Sequence, residues 1–240
     1  MQAIGQIIAG IQPMPGQNWR GAPTDSGAIH EMQRVRLTDL DVTVHPLVKT
    51  AVDAARRWAE RYKGDEDKAP SLVLAGPPGV GKTHIARAIW WAVSQAAVDD
   101  GGNKIAGSER PLGRFLTAAD LMAELDPQRR DTFQEAIPVS LVLGTSPLII
   151  IDDVGAEGVL PFVSQQSDYQ DRERQARYFR LIDFCYGSDI PVIITTNLTI
   201  PQLAAHVGSR VWDRLNQMAP AGQMVSMFGV PSWRVKAGGR

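Results

Sequence analysis

Ser71-Leu72-Val73-Leu74-Ala75-Gly76-Pro77-Pro78-Gly79-Val80-Gly81-Lys82-Thr83-His84-Ile85 decides how this chain folds. The apolar run Leu72 to Ala75 has the length and composition of a buried strand, and Ile85, Ile89 and Val93 recur at helical spacing after it. Between them Gly76 to Thr83 fits G-x-x-x-x-G-K-[ST]. Small residues in such a loop let the backbone curl until its N–H groups point inward, at the start of a helix that already favours negative charge. Phosphate oxygens are the natural guests, so the loop predicts ATP as ligand. Lys82 is placed to reach the β- and γ-phosphates. Thr83 supplies a hydroxyl where Mg2+ takes an oxygen ligand, a hard cation that binds few protein groups and keeps several waters.

Working outward, short β-rich runs alternate with helical segments, the signature of an α/β fold with a parallel sheet between helices. Five strands are expected: Ser71 to Ala75, Gly113 to Thr117, Pro147 to Ile151, Pro191 to Thr196 and Gln223 to Phe228. Thr117 to Asp120 and Ser167 to Gln170 have the form of helix-start capping boxes, and Gly187 suits a helix stop. Before the first strand, Val48, Val52, Ala55, Ala59 and Tyr62 predict an amphipathic helix ending near Gly64. Residues 1–45, rich in Gln, Gly, Pro and Met, read as an N-terminal arm. Its Ile4, Ile7, Ile8 and Ile11 could form an apolar face for a partner or pack on the chain's own domain.

Composition narrows the functional classes. With 240 residues the chain accommodates one full α/β domain and an appendage, and a formal net charge of −1 gives no global field toward nucleic acid or anionic membrane. The single cysteine, Cys185, excludes a disulfide framework and reads as a buried structural thiol. No apolar run is longer than a strand and no signal-peptide layout is present, so the expectation is a cytoplasmic protein without a membrane role.

Three further stretches carry chemistry. Leu148-Ile149-Ile150-Ile151-Asp152-Asp153 is a buried strand ending in two carboxylates, costly at the mouth of a parallel sheet unless something cationic meets them. Mg2+ is the counterpart expected for Asp152, and Asp153 is placed to orient and activate an attacking water. Val192 to Asn197 repeats the design, and Asn197 could hold that water or read the γ-phosphate. Arg210 and Arg214 share one helical face in Ser209 to Leu215; on spacing alone a surface pair beside Asp213 is the simpler reading, and an arginine reaching a neighbouring subunit's nucleotide is the sharper one.

Taken together, GPPGVGKTH, LIIIDDVGAE, VIITTN, SRVWDRL and the terminal Ser232-Trp233-Arg234 resemble the AAA+ family, and within it the DnaC/IstB group of helicase loaders and transposition helpers. The resemblance covers residues 46–236. It implies an AAA+ core over residues 46–240 with a very short C-terminal lid. It also implies nucleotide contacts from the loop through His84 and from Arg234, a metal role for Thr83 and Asp152, and catalytic roles for Asp152, Asp153 and Asn197. Arg214 becomes an arginine finger acting in trans, which makes the chain a homo-oligomer with ATP at subunit boundaries. The implied partners are DNA, single-stranded for a loader, and a replicative helicase, or else a transposase. Asp153 stands where many AAA+ proteins have Glu, so hydrolysis is expected to be slow, and Glu157 is a second candidate acid. An ATP-switched adaptor with negligible turnover is the alternative of another class. Arg129, Arg130, Arg172, Arg174, Arg177 and Arg180 are candidate DNA contacts, although interleaved Asp131, Asp171 and Glu173 also describe a solvated helix face.

Overall fold

The computed structural model describes residues 35–63, 69–94, 113–125, 139, 146–157 and 168–233. By its internal packing the chain divides between residues 33 and 34, and every described residue lies in the second unit. The arm's isoleucines, Ser167 of the second capping box, Arg129, Arg130 and Arg234 lie outside the described residues.

The strands are β1 Leu72–Ala75, β2 Arg114–Thr117, β3 Ile149–Val154, β4 Val192–Thr196 and β5 Met224–Ser226. They pair in parallel in the order β2-β3-β4-β1-β5. Every residue of β1 and β4 is buried, as are Ile149, Ile150 and Ile151. Unbroken apolar runs are what a sheet covered on both faces requires. The positions match the sequence expectation, except that β3 runs on from Ile151 through Asp152 and Asp153 to Val154, and β5 covers only Met224–Ser226 of the expected Gln223 to Phe228. The aspartates do not end the strand because hydroxyl and amide groups meet them inside the sheet edge.

Helices cover both faces: α1 Pro46–Lys63, α2 Lys82–Ser94, α3 Ala118–Glu124, α4 Asp168–Gly187, α5 Ile200–Val207 and α6 Ser209–Met218. Ile149, Ile151, Val192 and Ile194 join one core cluster with Leu121 of α3, Tyr178 and Leu181 of α4, Leu203 of α5 and Val211 and Leu215 of α6. Strand alternation turns Ile150 to the opposite face, where α2 packs on β3 and β4 and α1 packs on α2. Cys185 is buried in α4, and burial pushes its thiol up to about 12.

The helix starts show which local signals act. Thr117 caps α3 by accepting from Asp120 N at 3.1 Å. The reciprocal half of the expected box is absent: the short Asp120 side chain accepts from the Thr117 hydroxyl at 2.7 Å. At α5, Thr199 and Gln202 form a complete box, with Pro201 in the first turn. The capping box fixes where α5 begins, three residues after Asn197.

Candidate nucleotide-binding site

The loop from β1 to α2 turns through Gly79 and Gly81, whose φ angles of 81° and 97° lie in the left-handed region that favours glycine. Thr83 and His84 follow in the first turn of α2, with His84 exposed. No acidic residue occupies that turn, so the helix terminus keeps its positive end for an anion. Two bonds tie the chain beyond β5 to this region: Met227 N donates to Ala75 O at 2.6 Å and Trp233 N to Gly79 O at 3.0 Å.

Lys82 is only 6% exposed. A buried ammonium is costly unless oxygens surround it. Its Nζ donates to Gly76 O at 2.7 Å, Pro77 O at 2.9 Å and Asn197 Oδ1 at 2.8 Å. The charge thus sits among acceptors at the loop, where phosphate oxygens can compete for the same donors.

The acidic pair is arranged by an irregularity in β3. Ile151 pairs with Ile194, but Val154 pairs with Thr196, so β3 carries one extra residue between them. Asp153 adopts φ 61°, a left-handed conformation that aspartate tolerates better than most residues. A regular strand sends neighbouring side chains to opposite faces; the bulge turns both carboxylates to one edge. Asp152 Oδ1 accepts from Thr83 Oγ1 at 3.0 Å and Thr195 Oγ1 at 2.5 Å. Asp153 N donates to Thr195 Oγ1 at 2.9 Å, and its Oδ1 accepts from Asn197 Nδ2 at 2.6 Å. Asn197 therefore bridges Lys82 and Asp153, linking the loop to the acidic strand.

This donor set suits ATP with Mg2+. Among the described residues no three His, Cys, Asp or Glu side chains gather as for a tightly held metal. Thr83 and Asp152 instead offer the one or two oxygens that Mg2+ takes from protein when phosphates and water complete its shell.

Thr195 escaped the sequence reading. Its signal was weak but present: it precedes Asn197 by two positions, so strand alternation directs both to the same side. Glu157, the second candidate acid, is 6% exposed and accepts from Gly155 N, the Tyr178 hydroxyl and His206. Burial pushes its carboxyl up, and the bonds from His206 and Tyr178 outweigh this, leaving it below the ordinary glutamate value. A carboxylate so engaged is not free to take a proton from water.

The arginines divide into tied and exposed. Arg214 Nη2 meets Asp183 Oδ1 at 2.5 Å, with its guanidinium 4.8 Å from the Phe179 ring centroid and 5.8 Å from that of Tyr186. Arg210, one turn earlier on α6, is exposed and makes no ion pair among the described residues. On α4, Arg174 pairs with Asp171 and Arg177 with Glu173, while Arg172 and Arg180 are exposed.

A parallel sheet of this order, with a phosphate loop after β1, an acidic pair in β3 and a polar Asn just past the end of β4, is the fold of the AAA+ class of P-loop proteins. The chain belongs to the family described as IstB-like ATP binding protein, whose model matches residues 65–217. It is 24% identical over 165 residues to the replicative helicase loader DnaC of Escherichia coli (strain K12). That match covers 69% of this chain and 56% of the relative, so the chain spans little more than half the relative's length. Among solved structures, DnaI aligns with a TM-score of 0.58 at 21% identity over 82% of this chain and 93% of that one. The DnaC helicase loader aligns at 0.52 and 20% identity over 80% and 96%. These alignments show a shared fold. Among the described residues no helix is long and apolar enough to cross a membrane.

Proposed function

We propose that this chain hydrolyses ATP and uses the cycle to deliver a replicative helicase onto single-stranded DNA. The observation that carries the reading is the continuous set of bonds from Lys82 through Asn197 to Asp153, beside the Thr83–Asp152 pair. A phosphate-binding lysine and a water-orienting acid held by one asparagine are the parts a hydrolytic site needs. The similarity to a replicative helicase loader supports the choice of partner.

In this account the loop N–H groups and Lys82 hold the phosphates, and Thr83 and Asp152 hold Mg2+. When bound, the metal neutralises phosphate charge. Asp153 orients water and accepts its proton, and Asn197 keeps Asp153 and Lys82 in register. Arg234 contacts nucleotide in its own subunit. α6 supplies the arginine that reaches a neighbouring subunit's nucleotide in a homo-oligomer. The family pattern assigns that role to Arg214, which must then exchange Asp183 for phosphate; the exposure of Arg210 favours it as the second candidate. Arg172 and Arg180 are the DNA contacts this account keeps on α4, and residues 1–45 hold the partner.

The IstB-like family match favours a second reading, a transposition helper that recruits a transposase. Capture on the tagged full chain with ATP and Mg2+ separates the two. The proposal expects the replicative helicase to be retained by wild type and lost on deletion of residues 1–40. Retention of transposase without helicase would establish the second reading, and retention of neither would remove both.

A further inference from the structure

Glu157 stands four residues beyond Asp153, and its carboxylate is engaged from three directions. Oε2 accepts from Gly155 N at 2.8 Å, within the turn that leaves β3. Oε1 accepts from the Tyr178 hydroxyl on α4 and lies 2.6 Å from His206 Nε2 on α5. Tyr178 is 1% exposed, and its ring meets that of His206 edge to face, centroids 6.0 Å apart. A charge this deep is retained only where donors fill its oxygens, and a filled network specifies one arrangement of the elements it joins.

Those elements are the ones the proposed cycle must move together. The turn that Glu157 holds is short and stiff: Ala156 N donates to Asp153 O at 3.1 Å, and Thr196 Oγ1 donates to Val154 O at 2.6 Å. Gly155 has φ 101°, and a Cβ there would lie 2.8 Å from Leu198 Cδ1, so the turn rests against the residue following Asn197. On the other side, α5 starts right after the Thr199 cap and runs through His206 to Gly208, where α6 begins with Arg210 and Arg214. α6 packs on both α4 and α5.

We infer that Glu157 is a positioning residue that couples the Asp153 turn to α5 and α6, so that nucleotide at the loop changes the state of the arginine-bearing helix. The inference rests on the proposed reading of Asp153 and α6 as parts of one nucleotide site. Tyr178 and His206 are the contacts through which the coupling passes. Nothing in it requires Glu157 to touch nucleotide, and its carboxylate faces α4 and α5 rather than Lys82.

Amide hydrogen exchange on the full chain, with and without ATPγS and Mg2+, tests this without depending on turnover. The variants are Glu157→Gln, which keeps the shape and removes the charge, and Tyr178→Phe, which removes one hydroxyl. Wild type is expected to slow exchange in peptides of α5 and α6 when the analogue binds. Both variants should bind a fluorescent ATP analogue within about threefold of wild type and lose that nucleotide-dependent difference. A merely structural bond would raise α5 exchange equally in both conditions and leave the difference intact, which would overturn the inference. So would a wild-type protein that binds the analogue with no change in α5 or α6. Failure of wild type to bind the analogue would instead remove the nucleotide site itself, and the coupling with it. If Glu157→Gln does not fold, Tyr178→Phe decides alone.

Discussion

Asn197 uses both ends of one amide: its oxygen accepts from Lys82 and its nitrogen donates to Asp153. That geometry gives Asp153 a fixed direction, which the general-base role proposed for it needs as much as basicity. Asp153→Asn is expected to leave ATP affinity near wild type and to slow hydrolysis by about 10²- to 10⁴-fold, read as phosphate release beside a binding titration with a fluorescent analogue. Loss of affinity in parallel would mean the side chain holds the ligand rather than the water. At this scale the meeting of Lys82, Thr83 and Asp152 at one edge of the sheet was legible because each sits in a short motif of recognisable spacing. Thr195 was only faintly so. Glu157 was visible as a nearby acid but not as a structural tie, because Tyr178 and His206 lie 21 and 49 residues away and nothing in the sequence joins them.

β3 is the element that differs most from expectation. Apolar patterning predicts a strand that ends at Ile151, whereas the chain continues for three residues around a bulge. The bulge was not legible because its cause is the partner strand: Thr195 presents a hydroxyl that bonds both Asp152 and the backbone of Asp153. The strand's apolar part behaves as its pattern predicts. Ile150 is 0% exposed, and Ile150→Ala should cost about 2 to 5 kcal/mol of stability. Thr199→Ala, which deletes the α5 cap, should cost about 1 kcal/mol. Urea unfolding of both variants checks the ranking, and the reverse order would place the fold's main support outside the sheet.

For the whole molecule, alternation of strand and helix made the fold class readable, and the phosphate loop placed the site at the carboxyl edge of the sheet. The strand order was not readable, since it depends on which strands pair across long connections. The subunit boundary stays a proposal of the same account. Arg214→Ala and Asp153→Asn should each be nearly inactive, with the finger variant losing about 10³-fold or more. Mixed together, they should recover hydrolysis that neither has alone, because one supplies the arginine and the other the acid. No recovery would place Arg214 in its own subunit's site or beside Asp183 as a structural pair. The same mixing with Arg210→Ala shows which arginine of α6 crosses the boundary.

Steady-state release of phosphate from ATP with Mg2+, by wild type and Lys82→Ala, tests the central claim most directly, measured with and without single-stranded DNA. The account predicts slow turnover by wild type and none above background for Lys82→Ala. Equal rates in the two proteins, or no turnover by either, would contradict it.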